Sequence, residues 1–67
     1  IFELEITSDS MFAGRQVKDI VEELSEPIAF GAITRDGDVI IPRGDTTIKT
    51  GDHVVLFTAG DIESFNV

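Results

Sequence analysis

Sixty-seven residues hold one small domain and no second core, and a chain of this length buries only about 60% of the surface its unfolded form exposes. It has no cysteine, so neither a disulfide nor a thiolate metal site supports the fold; such a domain gains further burial by packing against a second copy or a neighbouring domain. With 13 acidic against 5 basic residues and a formal net charge of -8, it has the wrong sign for binding duplex phosphates or an anionic membrane surface.

The acidity fits either ordinary solubility through self-repulsion or a salty cytoplasm. The opening residues lack the basic, apolar and small-residue order of a signal peptide, and no run approaches the roughly 18 apolar residues of a membrane span. The lack of cysteine fits a reducing cytoplasm. The chain opens on Ile1, not Met, which leads us to expect a segment of a longer protein.

The stretch FELEIT, residues 2–7, alternates apolar and polar: Phe2, Leu4 and Ile6 on one side, Glu3, Glu5 and Thr7 on the other. That predicts a strand with one wet face. Residues 8–14 form a connector with Met11 and Phe12 as apolar anchors. From Arg15 the period changes, and Val17, Ile20, Val21 and Leu24 fall on one helical stripe opposite Lys18, Asp19, Glu22 and Glu23. Pro27 disfavours helical geometry at Glu26, so the helix is predicted to stop near Ser25.

The stretch IAFGAITR, residues 28–35, is apolar on both faces and reads as a central strand, with Gly31 marking a bulge or a close neighbour. Asp36-Gly37 is a two-residue hairpin signal, residues 39–41 return as its partner strand, and Pro42 ends that strand. Ile48 is the one large apolar residue between Ile41 and Val54, and is predicted to plug the following loop onto the core. Gly51-Asp52 turns the chain into a last strand, HVVLFT, residues 53–58. A short closing helix containing Ile62 and Phe65 is predicted with Asp61 as its N-cap. The fold class is α+β, a small β-α-β-β-β-α arrangement.

The candidate chemistries are weak against plainer explanations. Arg43-Gly44-Asp45 spells an adhesion tripeptide, but three residues recur by chance, and a turn in which Asp45 accepts local backbone hydrogen bonds explains them. Asp36 opens no EF-hand, because the fifth and twelfth places hold Ile40 and Thr47; hairpin-turn acids are the simpler reading, with a weak divalent site shared by two chains left open. His53 is the only histidine and has no Cys, Ser or second His at a recognised spacing, so it reads as a strand residue. Gly31, Gly37 and Gly44 are too far apart to cradle a phosphate. No enzyme signature survives.

The runs MFAGRQVKDI and PIAFGAITRDGDVIIPRGDTTIKTGDHVVLFT together resemble the TrkA-C domain, the C-terminal lobe of the regulator of potassium conductance (RCK) module. The pattern lies in Gly14-Arg15 opening the helix, Arg35 before the Gly37 turn, Ile41-Pro42 after the hairpin, and Gly51-Asp52 before the aliphatic strand. The resemblance spans residues 2–65. It implies a cytoplasmic, non-catalytic regulatory module of a potassium-transport protein. Such lobes follow a Rossmann-like nucleotide-binding lobe, dimerise, and act on a membrane channel or transporter subunit. It implies no resident cofactor, and a small nucleotide or divalent cation as the class of ligand.

One branch of that family binds cyclic di-AMP between two lobes through an Arg late in the helix and an Asn entering the next strand. Those places hold Glu23 and Ala29 here, and an acid facing a phosphate argues against that ligand. If a pocket lies at the twofold axis, Ile28, Phe30 and Arg35 are its candidate lining. The plainer alternative is core for Ile28 and Phe30 and a solvated hairpin end for Arg35. Two other readings stay open: the same lobe on an anion or amino-acid exchanger, and a stand-alone adaptor docking a peptide on a strand edge.

Overall fold

The computed structural model describes residues 1–24 and 27–59. The predicted helix end at Ser25 and the predicted closing helix with Asp61, Ile62 and Phe65 lie outside the described residues. The described elements are β1 (Phe2–Glu5), α1 (Val17–Glu23), β2 (Ile28–Arg35), β3 (Asp38–Ile40) and β4 (His53–Thr58). The strands form one antiparallel sheet in the order β1-β4-β2-β3, with α1 and the long loops packed on one side.

Residues directly opposite in an antiparallel ladder share a face, so the register sorts the sheet. The inner face holds Phe2, Leu4, Leu56, Val54, Phe30, Ile33 and Ile40. These meet Ile6, Phe12, Val17, Ile20 and Ile48 in a single core, of which Phe12, Ile20, Ile33, Ile48, Val54 and Leu56 are wholly buried. Phe12 meets Phe30 edge to face, ring centroids 5.7 Å apart.

Phe30 and Ile33 share this face although two residues, an even number, lie between them. A bulge at Gly31 resets the alternation: Phe30 opposes Leu56, while Ala32 opposes the preceding residue of β4, Val55. Glycine is required there because a Cβ would lie 2.6 Å from Cε2 of Phe57, whose ring lies across the bulge from the outer side. The predicted bulge and the predicted close neighbour are therefore one feature.

Several boundaries differ from expectation for identifiable reasons. Strand β1 ends at Glu5, but its bonding continues: Ile6 N–H donates to Asp52 O and Gly51 N–H donates to Ile6 O. The helix begins at Val17, not Arg15, because Gly14 N–H and Arg15 C=O are bonded to the backbone of Ile48. Val21, predicted for the buried stripe, is exposed. At about 100° per residue, Val17, Ile20 and Leu24 cluster around one direction and Val21 falls about 60° to its flank. The hairpin partner strand runs one residue earlier than predicted, across an Asp36-Gly37 turn with both residues at positive φ (52° and 83°).

Candidate functional site

Two regions outside the core combine polar groups with exposed or loop-anchoring apolar ones. One is the loop of residues 42–52; the other is the outer face of the sheet.

The loop is tied down along its length. No side chain caps α1 at Gln16; the free amides of its first turn instead find loop carbonyls, Val17 N–H donating to Thr46 O and Lys18 N–H to Gly44 O, both at 2.9 Å. Ile48 follows as the fully buried plug predicted for it. Arg43-Gly44-Asp45 is thus part of a helix cap made by a distant segment. Its turn, expected to be closed by Asp45, is closed by Thr46: Thr46 Oγ1 accepts from Arg43 N–H at 2.9 Å, and Thr46 N–H donates to Arg43 O. The Thr46 hydroxyl does the work because it sits at the place that faces back toward Arg43.

Asp52 ends the loop and is 1% exposed. Both its carboxylate oxygens are occupied: Arg35 Nε donates to Oδ1 at 2.8 Å, Arg35 Nη2 to Oδ2 at 2.7 Å, and Lys49 N–H to Oδ2 at 2.9 Å. Arg35 Nη2 also donates to Thr47 O at 2.9 Å. The hydrogen bonds from Arg35 hold the Asp52 carboxyl below the usual carboxylate range despite its burial, and the same pairing raises the Arg35 guanidinium. Gly51 stands at φ 94°, a conformation that lets the chain turn into β4 while its N–H reaches Ile6.

Of the three candidate ligand residues, Ile28 and Phe30 lie together, half-buried on the inner face at the start of β2. Arg35 is at the other end of the strand, five residues from Phe30 and on the order of 15 Å away at strand rise. The fold does not gather these three into one hollow. Arg35 is committed to Asp52 and Thr47, and is not the solvated hairpin end of the plainer reading.

The outer face was not singled out from sequence. Its residues follow from the register: Glu5, His53, Thr34 and Val39 in one row, Glu3, Val55 and Ala32 in the next, Phe57 and Ala29 in a third. Among the described residues nothing covers this face, and Phe57, Val39 and Ile41 are exposed at 44%, 68% and 73%. The expectation that β2 is apolar on both sides because both are buried holds for one side only. A shallow polar hollow of about 340 Å³ lies at one end, lined by Glu3, Glu5, Thr34, His53 and Val55. A second of about 380 Å³ lies at the other, lined by Pro27, Ile28, Ala29, Phe57 and Thr58. The missed signal was in HVVLFT: Val55 and Phe57 are large and apolar on the side opposite Val54 and Leu56.

The family model of the TrkA-C domain matches residues 1–65. The chain belongs to the TrkA-C family. The Trk system potassium uptake protein TrkA of Azorhizobium caulinodans is 38% identical over 61 residues, covering 91% of this chain and 13% of that protein. The TrkA homolog 2 of Methanosarcina mazei is 39% identical over 56 residues, covering 84% and 12%. This TrkA-C chain therefore spans about an eighth of the length of the curated relatives it matches. Among solved structures, the c-di-AMP-bound RCK_C domain dimer of S. agalactiae BusR is similar, with a TM-score of 0.67 and 26% identity, covering 90% of this chain and 78% of that one. The fold and the family resemblance read from the sequence both stand, and the chain is a TrkA-C regulatory domain of the kind found in potassium uptake proteins.

Proposed function

We propose that this chain is the self-associating regulatory lobe of a potassium-uptake protein, and that a second copy covers the open sheet face. The observation that carries the reading is the make-up of that face. Val55, Ala32, Phe57 and Ala29 form a charge-free middle and end, while Glu3, Glu5 and His53 sit at one margin. An uncharged centre with a polar rim is the anatomy of protein interfaces. The S. agalactiae neighbour, a dimer of the same fold, supports the self-association in this reading.

In the full protein the lobe follows a nucleotide-binding lobe on the cytoplasmic side of the membrane and biases a transporter subunit without catalysing a reaction. A ligand held between two copies shifts that bias only by its differential affinity for their two arrangements. Ile28 is the candidate residue best placed to touch such a ligand, since it lines the apolar hollow beside Phe57. Phe30 and Arg35 join it only by giving up Phe12 and Asp52. Cyclic di-AMP belongs to the neighbour; in this chain Glu23, at the place of that branch's Arg, is a carboxylate ion-paired with Arg15.

Sedimentation of the chain tests the assembly: the wild type dimerises, and Val55→Glu is monomeric, with the melting temperature of wild type diluted to its monomer. A wild type that stays monomeric up to about 1 mM, weaker than useful affinity, overturns the reading and favours the peptide-docking adaptor. Melting against cyclic di-AMP, mononucleotides and divalent cations tests sensing. A ligand at ~100 times its dissociation constant adds about 2.7 kcal/mol, or roughly 10 °C or more for so small a domain.

A further inference from the structure

The acidic groups of the open face outnumber the basic ones within the described strands. Glu3 and Glu5 project from β1 and His53 from β4, with Glu5 directly opposite His53. Arg35 is the only lysine or arginine within the described strands, and it faces inward to Asp52. Asp38, the remaining strand acid, is opposite Arg35 and so also lies off the outer face. Within the described strands the charged side chains of this face are therefore the carboxylates of Glu3 and Glu5, with His53 the one basic side chain beside them.

Bringing two such faces together sets four carboxylates along one interface, on molecules that each carry a formal -8. Like charges placed against each other weaken association, and the rest of each molecule adds to it. The described domain measures 30 × 21 × 20 Å. That is comparable to the Debye length of ~30 Å at 0.01 M salt and far larger than ~8 Å at physiological ionic strength. At low salt almost every charge of one copy is felt by the other; at cytoplasmic salt only those beside the interface are.

We infer that ionic strength regulates the self-association of this lobe: monovalent salt strengthens the dimer by screening Glu3, Glu5 and the net charge behind them. The inference rests on the assembly proposed above. In a potassium-uptake protein it makes the assembly state follow the salt content of the surrounding solution, without a dedicated ion site.

Sedimentation equilibrium in a salt series tests it. The dimer dissociation constant is expected to fall at least roughly tenfold from ~20 mM to ~500 mM KCl, and equally in NaCl. The double variant Glu3→Gln, Glu5→Gln is expected to dimerise more tightly than wild type at low salt and to show a shallower salt dependence. A dissociation constant that is flat or rises with salt overturns the inference while leaving the dimer in place. So does an effect confined to one cation, or a double variant with the wild-type slope. Absence of a dimer at every salt concentration instead overturns the assembly itself, and the inference with it.

Discussion

Arg35 and Asp52, at the end of one central strand and the start of the other, meet through two parallel hydrogen bonds of 2.8 and 2.7 Å. Around this pair the backbone of the crossing loop is fixed at Thr47 and Lys49. Here the hairpin end, the loop and the start of β4 are joined by side chains.

Asp52→Asn leaves a partly buried guanidinium without its counter-charge. Removing one partner of a buried pair costs about 3–5 kcal/mol, and because Arg35 is 26% exposed the expected loss is nearer about 2–3 kcal/mol. Thermal melts should drop by about 10 °C or more. Arg35→Lys keeps the charge but loses the fork, and should cost less, about 1–2 kcal/mol.

The same pair sets an acid limit. The Asp52 carboxyl is depressed in the folded chain, first by its hydrogen bonds from Arg35. A depressed carboxylate contributes stability that is full above its unfolded value, about 3.9, and is lost as pH falls through its folded value. The stability gap between wild type and Asp52→Asn should therefore be constant near neutrality and shrink below about pH 4. The raised Arg35 guanidinium loses its contribution only in strong alkali, outside that window. Denaturant melts from pH 2.5 to 7 check this; a gap that widens with acid contradicts it.

Within the loop, the eye-catching tripeptide should matter least. Arg43→Ala and Asp45→Ala fall on exposed side chains and should change stability by no more than about 0.5 kcal/mol. Ile48→Ala empties a fully buried site and should cost about 2–5 kcal/mol. Parallel urea titrations of the three variants decide the ranking.

The elements were largely readable because their signals are local. The alternation in FELEIT, the Asp-Gly turn and the lone apolar Ile48 each specify their own place, and β2 and β4 fall on the predicted residues. What was not readable depends on segments far apart in sequence. The cap of α1 comes from Gly44 and Thr46, across the whole hairpin, so no Ser or Asp before the helix announces it. Arg35 resembled a free hairpin end because its partner lies 17 residues on. The outer face is visible only once the bulge at Gly31 fixes which β2 residues stand beside Val55 and Phe57.

That bulge carries its own prediction. Gly31→Ala places a Cβ 2.6 Å from the Phe57 ring, which must swing outward. The expected cost is about 1–2 kcal/mol, with a weakened dimer as Phe57 leaves its place on the face. Restoring the dimer by the second change Phe57→Leu, measured by sedimentation, identifies the ring clash as the cause.

The most direct test of the open face as the contact between copies is a dilution series followed by backbone amide NMR. Signals that move with concentration should cluster on Glu3, Ala29, Ala32, Thr34, Val39, Val55 and Phe57, while Lys18, Asp19 and Glu22 on the helix stay still. Shifts gathered on the helix face, or no concentration dependence at all, would contradict the account.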